Sequence, residues 1–191
     1  LYSQTRFSEA EAEFKAAQEL APLSPGTYYS RTLVLFLNRD YDGVIGNCKK
    51  ALELQPEANH IRAYLVRAYA LKGMFAEAFK EVEAIGNSDP FLYRKLKVYV
   101  DGLAGKTEEA QQTLRELEHL ESARLESPYE FAIIYASAGD KDKALASVEE
   151  AVGSGKIGSK AFLKAMFRQD PQLDSLRSDV RFTQYVARLE R

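Results

Sequence analysis

The sequence predicts an all-α chain built from repeated helix pairs, and three observations predict it. Large residues recur at a fixed interval: Phe7, Tyr41 and Phe75 stand 34 residues apart, and so do Pro22, Pro56 and Pro90. Small residues keep the same step, as Ala17 to Ala51 and Ala110 to Ala144, while Val44 lies midway between Ala10 and Ala78. Within each interval, apolar residues at helical spacing are interrupted by glycine or proline, which gives two helices of roughly 12–15 residues joined by short turns. Neither helix can bury its apolar face alone, so neighbours must stack.

Composition narrows the function classes. Of 191 residues, 46% are hydrophobic and 28% charged, the balance of a folded domain. With 26 basic and 28 acidic residues the net charge is −2, so a nucleic-acid partner held by bulk electrostatics is not expected. Cys48 is the single cysteine and cannot form an internal disulfide. His60 and His119 are far apart and gather no metal-ligand cluster. No apolar run approaches the ~18 residues of a membrane span, and no signal peptide opens the chain. The expectation is a cytoplasmic module without cofactor, metal or membrane contact.

The elements follow in order. Leu1 to Thr5 reads as the end of a helix that starts upstream, so the chain is expected to be cut from something longer. Residues 1–22 form a partial repeat with Ala10, Phe14 and Pro22 in its second helix. The full repeats are 23–56, 57–90, 91–122 and 123–152. Ser24-Pro25 and Ser127-Pro128-Tyr129-Glu130 place an N-cap serine and a first-turn proline at helix starts. Gly73, Gly105 and Gly139 sit at turns between paired helices, where positive φ is needed. The step from Ala78 to Ala110 is only 32. Counting forward from Pro90 makes Leu96, Tyr99, Val100 and Leu103 the first helix of that repeat, which puts the two-residue loss in the turn Gly105-Lys106-Thr107. Residues 153–191 form a C-terminal loop and capping helices. "VGSGKIGSK" lacks the spacing of a phosphate loop. A last helix capped by Ser178 carries Phe182, Val186 and Leu189 on one face and charge outside.

Cys48 lies in "YDGVIGNCKKALELQP". In the repeat register this is a second helix with its exit turn, and Val44-x3-Cys48 replaces Ala10-x3-Phe14. The thiol is therefore expected to be a buried hydrophobe rather than a nucleophile. Gly43 and Gly46 lie within that helix and weaken it by about 0.8–1 kcal/mol each relative to alanine. No nucleophile–base or metal constellation appears: Glu149 and Glu150, for example, are adjacent and point in different directions on a helix. Catalysis is not expected.

These motifs resemble the tetratricopeptide repeat (TPR), with Ala10-x3-Phe14, Leu65-Val66-x2-Tyr69, Ala78-x3-Val82, Phe131-Ala132-x2-Tyr135 and Ala144-x3-Val148, followed by Pro22, Pro56 and Pro90 in the earlier repeats. The family's tryptophan is never present; Tyr28, Arg62, Leu96 and Pro128 take its place. The resemblance implies a right-handed superhelical solenoid of antiparallel helix pairs, about five repeats plus a C-terminal cap. It also implies a protein-protein interaction scaffold whose first helices line a concave groove for a peptide or helical segment of a partner protein. Carried over, the groove residues are Tyr29, Leu33 and Phe36, then His60, Tyr64 and Arg67, then Arg94, Lys97 and Asp101, and finally Tyr129, Glu130 and Ile133. The carboxylate clamp of chaperone-binding members is not matched at these positions. An aromatic and aliphatic groove mouth beside a basic cluster of His60, Arg67, Arg94 and Lys97 suits a partner with apolar anchors and an acidic residue. Asp170-Pro171, Leu173-Asp174, Leu176-Arg177-Ser178-Asp179 and Arg181-Phe182 resemble the tails of TPR regions in multidomain bacterial regulators of transcription or signalling, although Val180 replaces a proline usual there. Two other roles stay open: a structural or homodimerising spacer, and a small-ligand sensory domain.

Overall fold

The computed structural model describes residues 12–14, 16, 17, 20, 25–120, 127–154 and 160–190. All regular structure among them is helical, with no strand. The chain divides into two compact units, Leu1–Ser88 and Asp89–Arg191. In the first, α1 (Pro25–Leu37), α2 (Tyr41–Leu54), α3 (Asn59–Leu71) and α4 (Phe75–Ile85) lead to a 3-10 turn, Gly86–Ser88. In the second, α5 (Pro90–Leu103), α6 (Thr107–Glu118), α7 (Pro128–Ser137) and α8 (Lys141–Ser154) are followed by α9 (Lys160–Gln169). A 3-10 segment (Pro171–Leu176), α10 (Val180–Ala187) and a last 3-10 turn (Arg188–Glu190) complete it. Within each unit, helices pack on their neighbours in sequence: α1 on α2, α3 on α4, α5 on α6, α7 on α8. α1 also meets α3, and α5 meets α7.

One turn is used four times. The pairs α1–α2, α3–α4, α5–α6 and α7–α8 are each joined by three residues, and the middle one has positive φ: Arg39 at 62°, Gly73 at 73°, Gly105 at 75° and Gly139 at 79°. Each turn closes with the same long backbone bond. Asp40, Met74, Lys106 and Asp140 donate their N–H groups to the carbonyls of Leu35, Tyr69, Asp101 and Tyr135 at 2.8–3.0 Å. That bond ties up an orphan carbonyl at the helix end, and the left-handed residue that permits it favours glycine because it carries no Cβ.

Counted from the middle of that turn, burial repeats. Seven residues before it stand Thr32, Val66, Val98 and Ala132, all fully buried. Five after it stand Val44, Ala78, Ala110 and Ala144, also fully buried. Cys48, Val82, Leu114 and Val148 come four residues later, and Ala51, Ile85, Leu117 and Ala151 three beyond those, all buried. One turn of helix separates each member from the next, so one stripe of each second helix is fixed against its partner.

This register corrects the placement of the missing two residues. The turn at Gly105 has the same length as the other three, so nothing is lost there. The shortening lies between Ile85 and Val98. Gly86 takes φ 47° and stops α4 after 11 residues, where α2 runs for 14. Arg94, not Leu96, therefore matches Arg62 and Pro128. Two smaller expectations also shift. Asp179, not Ser178, caps the last helix, its carboxylate accepting the Arg181 N–H at 2.9 Å. α8 continues to Ser154, past the boundary at 152. Ser127 does cap α7, its Oγ accepting the Glu130 N–H at 3.2 Å. The readings on Leu1–Thr5, Phe7, Ala10, Pro22, Ser24 and the loop at 155–159 fall outside the described residues.

α5 and α7 approach closely at Gly102, where a Cβ would lie 1.8 Å from the backbone oxygen of Ser137. Backbone cannot yield as a side chain does. Gly46 of α2 is the opposite case, with nothing within 4 Å of its added Cβ. Urea unfolding should show Gly102→Ala destabilised by about 1–3 kcal/mol or more, and Gly46→Ala stabilised by about 0.8–1 kcal/mol.

Candidate functional site

The first unit gathers several of the expected groove residues. α1 contributes Tyr29, Leu33 and Phe36; α3 contributes His60, Tyr64 and Arg67. Their side chains form one ladder of rings. Tyr29 meets the His60 ring edge-on at 5.6 Å between centroids and the Tyr64 ring at 5.9 Å. Tyr64 meets Phe36 edge-on at 5.4 Å. The Arg67 guanidinium lies over the Tyr64 ring, 5.4 Å from its centroid. Such edge-to-face pairs contribute about 0.5–1.5 kcal/mol each beyond burial, and a guanidinium over a ring adds a similar amount.

Exposure grades along the ladder. Phe36 and Arg67 are buried, at 1% and 8%. Tyr64 and Leu33 are half-buried, His60 is exposed, and Tyr29 is 38% exposed. The buried end anchors the rings and the open end presents them. Two of the six, Phe36 and Arg67, are thus packing residues, which spacing could not distinguish from surface ones.

In the second unit the expected residues are dispersed into local pairs. Arg94 donates to the Pro90 carbonyl at 3.1 Å and pairs with Glu116 at 3.6 Å. Lys97 bonds the buried Asp101 carboxylate at 2.5 Å along the same helix. Glu130 accepts from Lys95 at 3.2 Å. Tyr129 is buried and donates its hydroxyl to Asp170 Oδ2, and Ile133 is buried in the helix contact. Of the four members of the expected basic cluster, Arg94 and Lys97 each have a carboxylate partner within this unit.

Asp170, named above only for its place in the C-terminal tail, is the partner of Tyr129. It is 2% exposed, accepts from Tyr129 and from the Gln172 N–H at 2.8 Å, and ties the C-terminal segment to α7. The "DP" pair at 170–171 was the available signal, since an aspartate before proline caps a following helical turn.

Cys48 is fully buried in α2, with its sulfur 3.8 Å from the Thr32 hydroxyl. Burial pushes its thiol up to about 12, against a smaller opposing effect of the Thr32 hydrogen bond. Thr32 also donates to the Tyr28 carbonyl, and Asn47 donates to both. Among the described residues no group of three or more His, Cys, Asp or Glu is placed to hold a metal ion, and no helix is long and apolar enough to cross a membrane. No family model matches this chain, and no curated protein matches it.

Burial keeps the Cys48 thiol protonated from pH 7 to 9, so labelling by a disulfide reagent should be far slower in the folded chain than in the unfolded one at every pH in that range, and should still climb with pH because the thiolate stays a minor species. In urea above the unfolding midpoint it should become fast and rise with pH. Fast labelling of the folded chain at pH 7 would mean that α2 opens.

Proposed function

We propose that this chain is a protein-binding module of TPR-like repeats, and that the open end of the ring ladder in its first unit takes a short segment of a partner protein. The observation that carries the reading is the graded ladder, buried at Phe36 and Arg67 and open at Tyr29 and His60. Aromatic rings fixed from behind lose little entropy when a partner packs on them, which is why Tyr and Arg dominate binding hot spots. The four-fold turn and its burial register support reading each helix pair as an antiparallel TPR-like hairpin of the kind that stacks into a right-handed superhelical solenoid. The open end of the ladder is aromatic, so the partner segment carries apolar anchors. In this reading the role is binding, not catalysis, and the module serves a larger bacterial regulator.

The test starts from peptides selected on the whole chain from a random displayed library. Tyr29→Ala and His60→Ala together should weaken the selected peptides at least tenfold, about 1.4 kcal/mol; loss of the two Tyr29 ring pairs should also lower the unfolding midpoint, so binding is compared where circular dichroism shows the double variant still folded. Peptides that bind the double variant as well as the parent would refute the site.

A further inference from the structure

The second unit holds a cavity that the repeat pattern does not account for. It has a volume of about 310 Å³ and is lined by Arg168, Arg177, Phe182, Thr183, Val186 and Ala187. Its floor is apolar: Phe182 and Val186 are buried in the α10 contact, and Phe182 meets Phe167 edge-on at 6.0 Å. Among the described residues, two guanidinium-bearing side chains line it and no carboxylate does.

Arg177 is held in advance. Its Nη1 donates to the Phe167 carbonyl at 2.7 Å, its Nη2 to the Asp170 carbonyl at 2.9 Å, and its Nε to Asp174 Oδ1 at 2.8 Å. A guanidinium has five N–H donors, so two remain beyond these three bonds. A planar cation fixed this way loses little entropy on meeting a carboxylate. Asp174 offsets part of its charge, and Arg168 lines the same wall.

We infer that this cavity binds a small amphiphilic carboxylate, with its apolar body on Phe182 and Val186 and its carboxylate toward Arg177 and Arg168. Size sets the class. About 310 Å³ lies at the low end of the roughly 300–1,000 Å³ of small-molecule clefts, so a small ligand of about ten heavy atoms suits it. A straight-chain acid such as octanoate has that size. An amine of equal length would face two cations, and an alcohol would forgo the charge-assisted bonds.

The probes are octanoate, octanol and octylamine, titrated into the whole chain and followed by amide chemical shifts. Octanoate should move the amides of 177 and 182–187 and bind at least tenfold more tightly than either other probe. Arg168→Glu, on an exposed residue, should cut octanoate affinity about tenfold with the unfolding midpoint retained. Ala187→Trp, also at an exposed position, should fill the cavity and abolish the shifts. Octanol binding as well as octanoate, shifts centred elsewhere, or full affinity in both variants would overturn the inference.

Discussion

The paired helices depend on one steric constraint: how close two helices can come at the position five residues after the middle of each turn. Val44, Ala78, Ala110 and Ala144 occupy it, and each is fully buried. A small side chain there lets the second helix approach the first, and the residues four and seven places on then fill the contact. The three-residue turn fixes the starting phase, because its positive-φ residue and its long backbone bond leave the chain one exit direction. Phase and spacing together decide which side chains face inward. At Gly102 the same demand is carried to its limit, with backbone of one helix against the Cα of another.

The ring ladder is a consequence of that packing. α1 and α3 are both first helices of their pairs, and their mutual contact brings Tyr29 within ring distance of His60 and Tyr64. The same contact buries Phe36 and Arg67 and leaves Tyr29 open. In the second unit the charges at comparable places are tied to local partners, Lys97 to Asp101 and Arg94 to Glu116. A cation tied to a neighbouring carboxylate offers little net charge to a partner. The two units thus present different chemistry from related helix pairs: an aromatic face in one, and in the other a C-terminal cavity with arginines on its wall.

Much of the fold was legible in the sequence, because period and turn chemistry are local signals. Gly73, Gly105 and Gly139 announced their turns, and Ser127-Pro128 announced α7. Arg39 did not, since a non-glycine residue at positive φ leaves no mark in sequence. The lost pair of residues was misplaced because counting from Pro90 assumes that the α4–α5 connection keeps its length, whereas Gly86 ends α4 early. Site residues were less legible. Tyr29 and Tyr129 occupy the same place relative to their turns, yet one is 38% exposed and the other is buried, hydrogen-bonded to Asp170. What separates them is the C-terminal segment, which no repeat spacing foretells.

The most direct test of the packing constraint compares one substitution at two places on one helix. Ala144 of α8 is fully buried at the constrained position, and Ala146, two residues on, is exposed. Urea unfolding of Ala144→Leu should show a loss of about 1–3 kcal/mol from overpacking, while Ala146→Leu should stay within about 0.5 kcal/mol of the parent. Equal effects at the two positions would contradict the account, because helix approach would then not be set by the small residue five places after the turn.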